Sequence, residues 1–432
     1  MPSRPDCFRR CVAVTLLAAV TVAGCSADDK GAGRPTVEVF GNVVGEAGEQ
    51  LGVALRDASR DADVELRYVG VTSFSEQLTG RLDRGDRPGI VLLPQPGRLR
   101  DLADRGLLQP LDPEVADEVA ARYPSALVEL ASLDGEMRGV WLTVDVKGLV
   151  WYRPAVFESL GLQVPTTLDE FAALAEELRT GPDGPAPFCL AAEAGASTGW
   201  VGTDWVESYV LRRLGTAAYD QWVAGTLAFD SPEITSVFDE LDTLLRAPGA
   251  VAGGASAALG NPWELAATQL LEDTPSCAMA HQADFLRREF PAGTTIGPDG
   301  DVDFFVLPGV DAAPAPVVLG GLLAAPLDDA PEVDLAMAVL AGDDVASALR
   351  ATGVFLSPLD GPASTSDEVA TRLVAVVDDA SELRFDASDL MPPAIGAGSF
   401  WSGMRGFLAG EDVASLLGSV EAGRPPPAGG DG

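Results

Sequence analysis

Apolar positions in the first third of the chain alternate between two spacings. Short apolar runs of strand length cover residues 36–40, 64–71 and 89–94, and apolar residues recur at helical spacing over 45–60, 74–84 and 98–107. Strands that alternate with helices in this order predict a mainly parallel sheet with helices on both faces. Because ligands bind at the carboxyl ends of such strands, the loops after Phe40, Val71 and Pro94 are candidate ligand loops.

The pattern changes in the second third of the chain. Residues 139–152 are one long extended run, which we interpret as a strand that crosses between two lobes. A Thr-x-x-Glu capping box at 167–170 predicts one helix start, and the Ser-Pro pair at 231–232 predicts another. Further strand-like runs cover 303–308 and 317–325, helical runs cover 331–352, 367–383 and 411–422, and 353–358 is predicted to cross back.

A positively charged start precedes an apolar run at the N-terminus. Three arginines lead into residues 12–24, a run typical of a secretory signal peptide and shorter than the roughly 20 residues that span a bilayer. It ends in Val-Ala-Gly-Cys25, which resembles a bacterial lipobox; the alternative is an ordinary signal peptide followed by a chance cysteine. We predict that 1–24 are a lipoprotein signal peptide, that 25–35 are a flexible tether, and that lipid on Cys25 anchors the chain at the outer face of the cell membrane.

The chain is strongly acidic. It has 65 acidic and 29 basic residues, and removal of residues 1–24 takes away one acidic and three basic residues, which leaves a net charge near −38. Nucleic-acid binding needs a basic footprint, so this charge argues against it, and also against lying flat on anionic lipid. A mature length of roughly 400 residues exceeds one comfortable core and favours two lobes.

Five cysteines narrow the chemistry. Cys7 and Cys11 leave with the signal peptide and Cys25 carries lipid, so Cys189 and Cys277 remain. In an exported chain two leftover cysteines favour one disulfide, and the alternative is two buried thiols. With one histidine and no CxxC or HxxxH spacing, we predict no metal site and no cofactor.

Six segments of the mature chain carry distinctive motifs. They are LLPQPGRLRDLADRGLLQPLD at 92–112, VDVKGLVWYRPAVFESLGLQVPTTLDEF at 144–171, PFCLAAEAGASTGWVGTDWVES at 187–208, CAMAHQADFL at 277–286, VDFFVLPG at 302–309 and FDASDLMPPAIGAGSFWSGM at 385–404. Together they resemble the extracellular solute-binding proteins of ABC sugar importers, and within those the α-glucoside-binding branch. The resemblance covers nearly all of the mature chain, and GWxGTDW combined with PFC and HQA is specific.

The resemblance implies an α/β fold of the periplasmic-binding-protein-like type II class, with two α/β lobes joined by a three-segment hinge. We place lobe 1 at 36–145 and 309–356, lobe 2 at 146–308 and 357–422, and a disordered tail at 423–432. The resemblance also implies a Cys189–Cys277 bridge, a sugar ligand bound between the lobes, and delivery of that sugar to ABC permease subunits by a monomer.

Two segments depart from the family pattern. Relatives tend to carry an acidic residue shortly after the glycine pair that stands here as Gly320-Gly321-Leu322-Leu323, and the loop after Phe40 (GNVVGEAG) also looks altered. These changes leave the sugar open and allow a degenerate binder that no longer takes a glucoside.

Sugars present C–H faces and in-plane hydroxyls, so a sugar cleft needs aromatic rings together with planar amides or carboxylates. Trp200 is the first stacking candidate, with Asp204 as hydroxyl acceptor. Trp205 begins a helix and is either a contact or core. Gln95 follows a buried strand, and Trp401 resembles the family's C-terminal stacking aromatic.

Five more residues are candidates for ligand contact. Asp145 and Lys147 lie in the crossing strand, where they either bind sugar or pair with each other. His281 and Gln282 match the family HQA, although a lone histidine is more often structural. Glu193 is a similar candidate.

Three functions compete at this point. The first is a binding module that closes on an oligosaccharide and delivers it to a permease. The second is a secreted glycosidase, which needs two carboxylates about 5–9.5 Å apart across a cleft; no GxSxG motif or metal cluster supports an enzyme, and we predict none. The third is a structural or signalling lipoprotein on the same scaffold.

Overall fold

The computed structural model describes residues 34–181, 184–359 and 367–424, and these contain twelve strands and seventeen α-helices. The strands are β1 (Thr36–Gly41), β2 (Glu65–Gly70), β3 (Ile90–Leu93), β4 (Ser132–Leu133), β5 (Glu136–Met137), β6 (Val140–Val146), β7 (Leu149–Tyr152), β8 (Ala186–Phe188), β9 (Cys277–Gln282), β10 (Asp303–Val306), β11 (Val317–Pro326) and β12 (Leu383–Phe385).

The α-helices are α1 (Gly45–Ala58), α2 (Phe74–Asp83), α3 (Arg98–Asp104), α4 (Pro113–Arg122), α5 (Ser125–Leu130), α6 (Pro154–Leu160), α7 (Leu168–Thr180), α8 (Trp200–Val223), α9 (Pro232–Leu245), α10 (Gly254–Gly260), α11 (Leu265–Leu270), α12 (Pro331–Ala341), α13 (Asp343–Ala351), α14 (Glu368–Asp379), α15 (Ala387–Leu390), α16 (Trp401–Ala409) and α17 (Val413–Ala422). Short 3₁₀ helices cover Gly195–Ser197 and Asp284–Arg288, and a π-helix covers Ala394–Phe400.

The first sheet has six strands, and its first half is parallel as predicted. β1 lies between β2 and β3 and pairs in parallel with both. All four residues of β3 are buried, as expected for a strand with helices on both faces. β11 runs antiparallel to β3 and β6 and parallel to β12, so later segments of the chain complete this sheet.

The second sheet has four strands in the order β10-β7-β9-β8. β7 is antiparallel to both β9 and β10, and β8 is parallel to β9. Buried apolar side chains form two clusters, one around the six-stranded sheet and one around helices α7, α8, α9 and α16.

Three connecting segments carry the chain between the first sheet and the rest of the protein. The first is Lys147-Gly148, between β6 and β7. Gly148 has φ +74°, a left-handed conformation that ends the strand, so the extended run 139–152 is two strands rather than one. The second connecting segment is 307–316, from β10 to β11. The third is 386–390, which follows β12 and includes α15, and not the predicted 353–358, because β12 still pairs with β11 in the first sheet.

Helix starts follow the side-chain caps that the sequence predicts. Thr167 Oγ1 accepts the amide of Glu170 at 3.1 Å, and Ser231 Oγ accepts the amide of Ile234 at 3.4 Å. The helical run 331–352 is interrupted at Gly342, so it forms α12 and α13.

Helix α8 begins at Trp200, five residues before the start predicted at Trp205. A β-carbon on Gly202 would lie 2.9 Å from Met404, so glycine is needed here for close packing of α8 against α16.

Cys189 and Cys277 form the predicted disulfide, and both residues are buried. The signal peptide, Cys25, the tether through residue 33 and the tail from 425 lie outside the described residues, and the lobe bounds stay a prediction. Among the residues described, no helix is both long and apolar enough to cross a bilayer.

Candidate functional site

Three partly exposed aromatic rings lie together at the start of α8. The ring of Trp200 is 5.5 Å from that of Trp263 and 5.7 Å from that of Phe285, and the last two are 5.5 Å apart. All three residues are half-buried, so each ring keeps an accessible part. We call this group the aromatic triad. Such rings offer apolar faces on which the C–H face of a ligand can stack.

One cation lies near Trp200 and another near Phe285 of the aromatic triad. Lys147 Nζ is 6.0 Å from the Trp200 ring centroid, and the guanidinium of Arg288 is 5.9 Å from that of Phe285. Both cations also have carboxylate partners. Arg288 contacts Asp145 Oδ1 at 3.2 Å, so Asp145 pairs with this arginine and not with Lys147.

Lys147 is held between two buried carboxylates. Its ammonium donates to Asp204 Oδ1 at 2.9 Å and to Asp386 Oδ2, and all three residues are at least nine-tenths buried. Asp386 Oδ1 accepts from the hydroxyl of Ser388 and the amide of Asp389, each at 2.8 Å. Asp204 Oδ2 is buried and has no hydrogen-bond partner among the described residues, which leaves an acceptor available in this cluster.

Burial and charge act in opposite directions on these groups. Burial raises the pKa of Asp204 to about 7, although Lys147 opposes the rise. Burial also raises the pKa of Asp386, but the charge of Lys147 and its hydrogen bonds outweigh burial, so that pKa is lowered. For Lys147, burial lowers the pKa and the nearby carboxylates raise it well above its usual value. The ammonium is therefore charged at neutral pH.

The loop after β3 contacts the segment that carries Asp386. Gln95 is buried, and its side chain partly offsets the rise that burial causes in the pKa of the Asp389 carboxyl. The amide of Gly97 donates to the Asp389 carbonyl at 2.9 Å. Gln95, Lys147 and Asp204 are thus in one region, as the sequence predicts for a shared site.

Glu193 and Trp401 border this region in different ways. Glu193 holds the backbone of Trp263, whose amide donates to the Glu193 carbonyl at 3.1 Å. Its carboxylate accepts the amide of Gly195 at 2.7 Å. Trp401 is 8 % exposed, and its indole N–H donates to Ser388 Oγ at 3.4 Å, beside Asp386.

Trp205, His281 and Gln282 are buried in the core. The Trp205 ring packs 4.3 Å from the imidazole of His281 and 5.1 Å from the ring of Phe188. Neither imidazole nitrogen has a partner among the described residues, and burial lowers the pKa of His281 to about 3, so the ring is neutral. Gln282 Oε1 accepts the amide of Ala283 at 2.9 Å.

Sequence reasoning missed three residues of this region. Trp263, Phe285 and Asp386 are not among the candidates that the sequence singles out. Phe285 and Asp386 nevertheless lie within HQADFL and FDASDL, which are two of the segments that carry the family resemblance. That signal could have found them.

The altered loop after Phe40 is held by hydrogen bonds to the side chain of Tyr68. The hydroxyl of Tyr68 accepts the amide of Val43 and donates to its carbonyl, both at 2.9 Å. A β-carbon on Gly70 would lie 2.0 Å from the Val43 carbonyl oxygen, so glycine makes room for this loop. The carboxyl end of β1 therefore presents an apolar, tightly held turn.

Asp204, Glu207 and Asp386 could together supply oxygen ligands to a cation, since one oxygen of each lies within 4.8 Å of the others. Both carboxylate oxygens of Glu207 already accept hydrogen bonds, from the amides of Ala387 and Ser388 at 3.0 and 3.1 Å. The cation in this cluster is the ammonium of Lys147.

Comparison with known proteins gives consistent matches. The family model "Bacterial extracellular solute-binding protein" matches residues 58–341. The osmoprotective compounds-binding protein GgtB of Synechocystis sp. is 34 % identical over 91 % of this chain and 93 % of its own. The α-glucosides-binding periplasmic protein AglE of Rhizobium meliloti is 32 % identical over 83 % of this chain and 80 % of its own.

Solved structures agree on the fold. The bacterial solute receptor AcbH, described as preferring β-D-galactopyranose exclusively, superposes with a TM-score of 0.74 at 20 % identity, over 90 % of this chain and 98 % of its own. The predicted type II fold, two α/β lobes joined by a three-segment hinge, is confirmed.

Proteins of this family bind solutes for ABC transporters and catalyse no reaction. Membership of the family, and not the geometry of the site, therefore excludes the glycosidase hypothesis. The family match covers well over half of the chain, and GgtB matches nearly its full length. This chain belongs to the bacterial extracellular solute-binding proteins.

Proposed function

We propose that this protein captures an α-glucoside, or a small glycoside of similar shape, and delivers it as a monomer to the permease of an ABC importer. Lipid on Cys25 holds it at the outer face of the membrane. The observation that carries the proposal is the aromatic triad, which stands beside a buried acceptor, Asp204 Oδ2, that has no protein partner among the described residues.

The chemistry of a glycoside fits this pair of features. Its C–H face stacks on an aromatic ring, and a hydroxyl donates to a carboxylate. An unpartnered buried acceptor costs about 1–3 kcal/mol, so a ligand hydroxyl that reaches Asp204 Oδ2 recovers part of that cost. Gln95 and Asp145 lie around the same region and offer further polar groups.

One of the relatives supports an α-glucoside as the ligand. AglE is named for α-glucosides and GgtB for osmoprotective compounds, and both match this chain at more than 30 % identity. The closed loop after β1 and the Gly320-Gly321 segment are where this chain departs from the family pattern. Both affect which glycoside is accepted.

Capture by two lobes implies closure. A ligand that contacts both lobes favours the closed arrangement because it gains contacts there that the open one lacks. A protein anchored through Cys25 then presents the closed complex to a permease in the same membrane. Mass spectrometry of the protein extracted from its native membrane tests the anchor: we expect acyl chains on Cys25, and a Cys25→Ser variant released into the medium.

Phe285 and Phe305 provide a matched pair for testing the site. Both are half-buried phenylalanines with aromatic neighbours, but Phe305 lies on β10, where its ring packs 5.6 Å from Tyr152 and outside the aromatic triad. We expect maltose, sucrose or trehalose to raise the Tm of the native protein, since a ligand at 100 times its Kd stabilises by about 2.7 kcal/mol. Phe285→Ala should abolish that rise and Phe305→Ala should keep it.

Two results contradict the proposal. If the native protein shows no response to any glucoside, oligosaccharide or polyol, a receptor that transports no sugar is favoured. If Phe285→Ala and Phe305→Ala respond equally, the aromatic triad is not the binding site.

A further inference from the structure

Helix α8 is hydrogen-bonded to all three connecting segments. The pairs are Lys147 Nζ with Asp204 Oδ1 at 2.9 Å, Arg212 Nε with the Leu307 carbonyl at 2.8 Å, and the amides of Ala387 and Ser388 with Glu207 at 3.0 and 3.1 Å. Asp204, Glu207 and Arg212 are all more than nine-tenths buried. One helix therefore contacts every segment that must bend when the lobes move.

Lys147 has a special place among these contacts because it joins two of the segments to the helix at once. It belongs to the first connecting segment, and its ammonium contacts both Asp204 of α8 and Asp386 of the third. It is also 6.0 Å from the ring of Trp200, one helical turn before Asp204. The charges are buried, so separating them inside the protein is costly.

We propose that the Lys147 ammonium is a positioning group for ligand capture, which ties the first and third connecting segments to the turn of α8 that carries Trp200 and Asp204. A ligand that stacks on Trp200 and donates to Asp204 then acts on the connecting segments through Lys147. This inference rests on the proposed function. Lys147 itself acts through Asp204, and it touches no ligand.

The coupling makes a specific electrostatic prediction. Asp204 is faced by charged or titratable groups from the elements packed against it: Lys147 on the first connecting segment, Asp386 and Asp389 on the third, and Glu207 and Tyr219 on α8. Burial raises the pKa of Asp204 to about 7, Asp386 raises it further, and Lys147 lowers it. Because the ionised carboxylate is the stronger hydroxyl acceptor, ligand affinity should increase with pH through this pKa.

Two substitutions shift that profile in opposite directions. Lys147→Met removes the cation and keeps the length of the side chain, so the pKa of Asp204 rises and the midpoint of affinity against pH moves to higher pH. Asp386→Asn removes a neighbouring negative charge, so the midpoint moves to lower pH. Lys147→Met breaks the tie to the third connecting segment, and Asp386→Asn weakens it by replacing the carboxylate with a neutral amide. At pH 9 both should therefore weaken binding by a factor in the usual range for coupled sites, about 5 to 150.

The measurement is the Kd of maltose, sucrose and trehalose by calorimetry from pH 5.5 to 9, with circular dichroism to check folding. Asp220→Asn is the control, since Asp220 of α8 pairs with Arg384 of β12 at 2.6 Å on the surface. Exposed pairs of this kind contribute little, so the control should keep the native Kd and midpoint.

The outcomes separate the inference from the proposed function. Opposite shifts of the midpoint support the inference, and a merely structural role would weaken binding without them. If the native protein binds a glucoside and both variants keep its midpoint, the inference is wrong and the proposed function stands. If no probe binds the native protein, the proposed function fails and the inference fails with it. Should Lys147→Met not fold, the shift in Asp386→Asn decides.

Discussion

The buried histidine gives a stability prediction whose size can be worked out. His281 is 5 % exposed, its ring packs on Trp205, and neither nitrogen has a partner among the described residues. It is also the single histidine of the chain. Substituting His281→Phe keeps an aromatic ring against Trp205 and removes the histidine titration from the protein altogether.

The sign follows from proton binding in the two states. Burial lowers the pKa of His281 to about 3 in the folded protein, against 6.5 when unfolded. Below pH 6.5 the unfolded chain takes up a proton that the folded chain refuses, so the native protein loses stability as pH falls towards 3. At about 1.4 kcal/mol per pH unit, this destabilisation is about 2 kcal/mol at pH 5 and close to zero at pH 8.

The assay is urea unfolding of both proteins at pH 5 and pH 8, followed by circular dichroism with the disulfide intact. Phenylalanine is larger than histidine, so overpacking of about 1–3 kcal/mol and relief of the unpartnered nitrogens act at both pH values. The informative quantity is the change between the two pH values. The free energy of unfolding of His281→Phe minus that of the native protein should be about 2 kcal/mol larger at pH 5 than at pH 8. If the variant and the native protein differ in free energy of unfolding by the same amount at both pH values, the conclusion that His281 is buried and neutral is wrong.

Two further predictions concern the disulfide and the start of α8. Cys189 and Cys277 are 88 residues apart, so reduction, or Ala at both positions, should lower the free energy of unfolding by about 4–5 kcal/mol in the chain-entropy relation, and an unchanged urea midpoint with reductant would contradict this. A β-carbon on Gly199 would lie 2.1 Å from the Trp401 carbonyl oxygen, so Gly199→Ala should displace Trp200, lower the Tm and weaken sugar binding. Gly195→Ala, also left-handed but with open space around it, should lower the Tm by less and keep the affinity.

The first sheet was predictable because its signal is local. Each of β1, β2 and β3 is a short apolar run followed by a helix, and that order restricts the sheet to a parallel arrangement. The run 139–152 was harder because both of its strands are apolar and extended. Only the left-handed Gly148 separates them, and nothing in the apolar pattern distinguishes that glycine from one inside a strand.

The sequence indicated that several of the candidate residues would lie together, but it did not predict their contacts. Trp200, Asp204, Lys147 and Gln95 were expected to lie together, and the structure brings them together. The partner of Lys147 was not predictable by spacing: Asp145 is two residues away, but the carboxylates that hold the ammonium are 57 and 239 residues distant. Pairs at such separations depend on how the connecting segments pack on α8, which no local pattern encodes.

The charges around the aromatic triad bear on which ligand the proposed site would accept. Lys147 lies near the Trp200 ring and Arg288 near the Phe285 ring, and both cations are paired with carboxylates. A cationic ligand would compete with these cations for the ring faces. An anionic ligand would approach Asp204, whose negative charge increases above pH 7 as its carboxyl ionises. A neutral ligand that offers a C–H face to the rings and a hydroxyl to Asp204 meets neither penalty, and a glycoside without ionisable groups has that chemistry.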